Sequence, residues 1–194
     1  LPSLIGDNMV LQSNTTVKIW GWSDPGSTIK IATSWAKDTV KVKAKMDSRW
    51  EVSLKTNNAP GVHTMFVTNG KANLTVKNIL LGEVWLCSGQ SNMNRSGARG
   101  MVDMKEELTK PMSDSIRLFQ VQRGASPVPL EEVDGKWEVC NAKSAEYFTA
   151  VGYFFGRSLL SGIKRPVGLI HSSWGGSPAE VWTPADQLPD TARA

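Results

Sequence analysis

Polar and apolar residues alternate along the first third of the chain. Val17-Lys18-Ile19-Trp20, Thr28-Ile29-Lys30-Ile31, Thr39-Val40-Lys41-Val42-Lys43 and Arg49-Trp50-Glu51-Val52-Ser53-Leu54 each repeat with period two. That period marks strands with one buried face. Turn-forming clusters separate them: Asp24-Pro25-Gly26, Asp47-Ser48, Asn57-Asn58-Ala59-Pro60-Gly61 and Asn69-Gly70. These residues favour the backbone angles and local hydrogen bonds of turns. The spacing predicts an antiparallel β-sandwich over residues 1–78. His63 falls inside a strand pattern and reads as structural.

The pattern changes near Asn78-Ile79-Leu80-Leu81. Val84-Trp85-Leu86-Cys87 is a short apolar run, as expected of a strand buried on both faces of a parallel sheet. Met101 to Lys110 reads as a short helix that stops before Pro111. Ile116 to Val121 reads as a strand, and residues 123–136 as a surface loop. Ala145 to Gly162 reads as one helix with Phe148, Val151, Phe155 and Leu159 on the face that meets the sheet. Pro166 to Ile170 is a further buried strand. Strand, helix, strand in this order is a βαβ crossover with parallel strands. Residues 79–194 therefore read as part of an α/β domain, and the fold class as mixed.

Composition narrows the function classes. The net charge of +4 comes from 22 basic and 18 acidic residues spread along the 194-residue chain. No clustered basic face emerges, so no nucleic-acid partner is expected. No apolar stretch reaches membrane-spanning length. Eight tryptophans are many for this length; Trp20, Trp22 and Trp50 read as β-core, since tryptophan supplies large buried area. Cys87 and Cys140 are too few for a disulfide framework. They read either as buried small apolar residues or as a single Cys87–Cys140 bridge. The triplets at Asn14, Asn73 and Asn94 fit the glycosylation pattern, which arises often by chance.

Two stretches carry chemistry. The first is Gly89-Gln90-Ser91-Asn92-Met93, directly after the apolar run. A serine there lies outside the carboxyl end of a strand, where open α/β sheets hold their ligands. Ser91 reads either as a nucleophile or as a cap for the segment that follows. Glycine on both sides of the serine would make the α/β-hydrolase elbow; Met93 breaks that pattern. The second stretch is His171-Ser172-Ser173-Trp174-Gly175-Gly176-Ser177-Pro178-Ala179-Glu180. It follows a strand parallel to the first and so reaches the same sheet edge. Paired glycines let backbone N–H groups approach a ligand, as an oxyanion of ester hydrolysis requires. A plain tight turn is the other reading.

Glu83-Val84-Trp85-Leu86-Cys87-Ser88-Gly89-Gln90-Ser91-Asn92-Met93 resembles the first sequence block of the sialate O-acetylesterase family, within the SGNH (GDSL-like) hydrolases. Leu1-Pro2-Ser3-Leu4, Asp7 to Gln12 and Trp20-Gly21-Trp22 resemble the N-terminal β-domain of its larger bacterial members. Ser173-Trp174-Gly175-Gly176-Ser177-Pro178-Ala179-Glu180 resembles its second block. The resemblance implies a β-sandwich followed by the first part of a flavodoxin-like α/β/α domain. It implies Ser91 as acyl-accepting nucleophile, with the N–H groups of Ser91 and Gly176, ahead of Gly175, holding the oxyanion. Gln90, Asn92, Met93 and Trp174 are then expected to line the substrate site. The implied substrate is an acetylated carbohydrate, O-acetyl sialic acid first and acetylated xylan as alternative. No cofactor or metal is called for, and export to a secreted or periplasmic location is implied.

The family's Asp-x-x-His block and its Gln-Gly-Glu-like block have no match here. The histidines are His63 and His171, and His171 does not stand at the family's base position. It reads as a pocket wall, with the role of base as the other reading. The expectation is that a further C-terminal segment or a second chain supplies the His and Asp, and that this chain alone turns over little. A sugar-binding module without activity is the alternative from another class.

Overall fold

The structure is a computed structural model that describes residues 1–126 and 128–189. The last five residues of the predicted α/β segment lie outside these. Ten strands and three α-helices follow in order. The strands are β1 (Val10–Gln12), β2 (Thr16–Trp22), β3 (Thr28–Thr33), β4 (Val40–Lys43), β5 (Arg49–Lys55), β6 (His63–Thr68) and β7 (Asn73–Gly89). Then come α1 (Val102–Glu107), β8 (Ile116–Gln120), β9 (Trp137–Val139), α2 (Ala142–Tyr147), α3 (Ala150–Ile163) and β10 (Val167–Ser173). The fold is mixed and mostly sheet.

One strand organises it. β7 runs 17 residues. Its first part pairs antiparallel with β6, its middle takes β1 parallel, and Glu83–Gly89 pairs parallel with β10. The large sheet has the order β4-β3-β6-β7-β10-β8-β9, and β2 with β5 forms a separate antiparallel pair. The predicted boundary between 78 and 79 falls inside β7, at Asn78, whose φ of 56° is left-handed. The β6 ladder shifts register beside it, between His63 and Met65. The chain thus bends at the junction without leaving the sheet.

Two cores sit on opposite faces. One joins Ile19, Trp50 and Leu54 of the β2–β5 pair with Ile29, Ile31, Met65 and Val76, and continues through Met9 to Phe119 and Trp137. The other lies under the helices and contains Cys87, Met104, Ile116, Leu118, Phe148, Tyr153, Val167 and Leu169. Arg117 is buried between the halves. Its guanidinium donates to the carbonyls of Asp114, Asn8 and Asn78 and to Asn78 Oδ1.

Three expectations change. The single helix over 145–162 is two, because Thr149 caps a new start: its Oγ1 accepts from the Gly152 N–H at 3.2 Å. The face of α3 that meets the sheet is small, not aromatic. Ala150, Gly152 and Gly156 are buried with Tyr153, whereas Val151 and Phe155 are exposed. Helix periodicity showed a stripe; it did not show that close approach to Cys87 and Leu169 requires glycine. Finally, Val84–Cys87 is not buried throughout. Trp85 is 46% and Leu86 64% exposed, because from Glu83 onward β10 is the only strand beside β7 among the described residues. Trp85 packs edge-on against Phe155 instead. Cys87 and Cys140 are both free thiols, buried in the helix-side core.

Candidate active site

β7 and β10 deliver the two chemical stretches to one place. They run parallel, with Ser173 opposite Gly89. The Trp174 N–H donates to the Gly89 carbonyl at 3.0 Å, one step past the ladder. Gly89 has a φ of 135°, a conformation that residues with a Cβ resist. The backbone then turns sharply: the Asn94 N–H closes on the Gln90 carbonyl at 3.0 Å. No regular α-helix follows directly, so Ser91 does not act as a conventional helix cap.

Ser91 is exposed at the tip of this turn. Its Oγ donates to Gln90 Oε1 at 2.7 Å, and its N–H donates to the same oxygen at 2.9 Å. A neighbouring amide oxygen therefore occupies both the Ser91 hydroxyl and its N–H. Gly175 abuts the serine: a Cβ built there would lie 3.5 Å from Ser91 Cα and 3.8 Å from Ser91 Cβ. Gly176 adopts a left-handed φ of 87° with open space around it. The structure thus brings Gly175 against Ser91, with Gly176 next in the same turn.

The neighbours divide by role. Met93 points inward: its sulfur accepts from the buried Thr149 hydroxyl at 3.3 Å. It ties the turn to the start of α3, which is an anchoring position. Gln90 and Asn92 are exposed on the turn. Asn94 lay in a glycosylation triplet, yet its Nδ2 sits 3.5 Å from a Cβ built at Gly175. It is a polar side chain on the same glycine as Ser91, and the sequence reading did not single it out. A second omission is the loop after β8. A cavity of about 600 Å³ opens between it and the turn after β10. Arg123, Trp174, Ser177 and Trp182 line it, together with both glycines. Only the position of this loop at the carboxyl edge of β8 signalled it.

His171 is buried and fully engaged. Its Nδ1–H donates to Gln120 Oε1 at 2.7 Å, and Nε2 accepts from the Ser173 hydroxyl at 2.6 Å. Phe148 packs edge-on to the ring. Burial first, and then the Arg123 charge, push its pKa down to about 4. The ring is a neutral structural hub with no free nitrogen for Ser91. His63 is likewise held, by Ser34 and the Ala59 carbonyl. Among the described residues no group of three or more His, Cys, Asp or Glu is placed to hold a metal.

No protein-family model matches the chain. It is 32% identical over 204 residues to the sialate O-acetylesterase of Homo sapiens, and 33% over 198 residues to that of Mus musculus. These matches cover 96% and 93% of this chain, but 39% and 37% of those proteins. The chain resembles the sialate O-acetylesterases along nearly its whole length. It also superposes on a solved carbohydrate acetylesterase from Xanthomonas citri, with a TM-score of 0.90 and 32% identity. That match takes in 100% of this chain and 44% of the other. The chain thus spans about two-fifths of the length of the curated relatives it matches. No helix among the described residues is long and apolar enough to cross a membrane.

Proposed function

We propose that this chain carries the nucleophile half of a carbohydrate O-acetylesterase, read as a β-sandwich leading into an SGNH-type α/β domain. The observation that carries the reading is Ser91, exposed beyond the carboxyl end of β7 and backed directly by Gly175. Ser91 Oγ attacks the acetyl carbonyl of the sugar ester. The N–H groups of Ser91 and Gly176 and the Asn94 amide stabilise the oxyanion. Gln90 must swing off the Ser91 N–H first, since its Oε1 holds that donor at 2.9 Å. Collapse of the tetrahedral species releases the sugar alcohol with a proton and leaves acetyl on Ser91. Water then attacks this ester and releases acetate.

The step needs a base. Both nitrogens of His171 are bonded and its proton affinity is depressed, so it does not serve. The base is assigned to residues outside the 1–189 region described, as the greater length of the relatives allows. O-acetyl sialic acid is the leading substrate because the relatives bear that name; an exported location follows from such a substrate. The test is hydrolysis of an aryl acetate by the complete protein, with the residues that supply the base present. Ser91→Ala is expected to lower kcat at least about 1,000-fold, the scale of losing a catalytic nucleophile. Equal rates for the variant and the parent would end the reading.

A further inference from the structure

The cavity between the β8 and β10 loops has a lopsided charge. Of its described lining residues, Arg123 is the only one that carries a formal charge. The guanidinium lies over the Trp174 ring, 5.6 Å from its centroid. A planar cation on an aromatic face is held in orientation with its edge donors left outward. Among the described residues no carboxylate pairs with it, and it faces the cavity. Arg123 is also near enough to the buried centre to depress the proton affinity of His171.

The rest of the wall suits a sugar ring. Trp174 and Trp182 are partly exposed. Trp182 Nε1–H donates to Ser177 Oγ at 2.7 Å, and that hydroxyl donates to the Trp174 carbonyl at 2.7 Å. Ser177 thereby ties the Trp182 indole to the Trp174 backbone. The turn Gly175-Gly176, which backs on Ser91, forms part of the same wall. Ser91 lies behind this turn, next to Gly175, and is not itself among the lining residues.

We propose that Arg123 is a specificity residue: it receives the carboxylate of an acidic acetylated sugar whose ring lies along Trp174 and Trp182. The proposal rests on the esterase reading above and refines its substrate class. A neutral sugar leaves the guanidinium unpaired. A carboxylate gains two parallel N–H···O bonds from the fork.

The test uses the complete protein and its Arg123→Ala and Arg123→Lys variants. The readout is kcat/KM for an O-acetylated sialic acid divided by that for its carboxyl methyl ester. Arg123→Ala is expected to lower this ratio about 10- to 100-fold, the fold-change equivalent of those hydrogen bonds, mainly through KM. Arg123→Lys is expected to restore part of it, as a point charge without the fork. A ratio that is unchanged in Arg123→Ala overturns the proposal. Calorimetric titration with deacetylated sialic acid gives a second reading that needs no turnover. Binding that weakens in Arg123→Ala supports the proposal, and equal affinity of parent and variant overturns it. Aryl-acetate hydrolysis by the parent protein, measured alongside, reports on the esterase reading separately.

Discussion

At the residue scale, His171 shows how a residue suited to catalysis can be committed to structure. From β10 its neutral ring bonds to Gln120 of β8 and to Ser173 of its own strand. Burial holds its pKa at about 4, against about 6.5 for an unperturbed histidine. Between these values the unfolded chain binds more protons than the folded one, so stability rises with pH across that window. The stabilisation is complete above about pH 6.5 and is lost as pH falls toward 4. Thermal melts of the parent and of His171→Gln at pH 4.5 and 7 check this. The variant is expected to show a smaller change in Tm between the two pH values; an identical change would contradict the assignment. The serine half of the site was legible at this scale, because glycine, serine and a preceding apolar run are local signals. Asn94, Arg123 and the inward turn of Met93 were not. Their positions depend on loops and helices that meet only in the folded chain.

At the scale of elements, α3 is defined by its glycines. A Cβ at Gly152 would lie 2.5 Å from Thr149 Cγ2 and 2.9 Å from Cys87 Sγ. At Gly156 it would lie 2.7 Å from Leu169 Cδ1. Gly162, in the same helix, has nothing within 4 Å. The same substitution therefore has opposite signs along one helix. Gly162→Ala is expected to stabilise by up to about 1 kcal/mol, from helix propensity. Gly152→Ala is expected to destabilise by about 1–2 kcal/mol, since overpacking outweighs that gain. Denaturant melts of the two variants decide it, and equal shifts would contradict the packing described. The sequence predicted a helix here correctly but misjudged its buried face. Apolar periodicity weights large side chains, whereas close helix–sheet contact selects small ones. The break at Thr149 was missed for a related reason: Phe148 continues the apolar stripe across a position where the backbone has already left the helix.

At the scale of the molecule, β7 decides what the two halves share. The alternation in residues 1–78 made their strands readable, and the apolar runs made the parallel strands readable. Their continuity was not readable, because Asn78 looks like a turn residue and is instead a left-handed step within one strand. Phe119 and Trp137 then belong to the same core as Ile19 and Met65, so the β-rich half forms one wall of the α/β half. This arrangement aims the carboxyl ends of β7, β8 and β10 in one direction. Ser91, the glycine turn and Arg123 gather there. The most direct test of the central claim is to look for acetyl on Ser91. The complete protein, mixed with an aryl acetate and quenched in acid within the first turnover, is digested and analysed by mass spectrometry. The account predicts an acetyl adduct on the peptide containing Ser91, absent from Ser91→Ala. Ester hydrolysis with no adduct at Ser91, undiminished in Ser91→Ala, would contradict it.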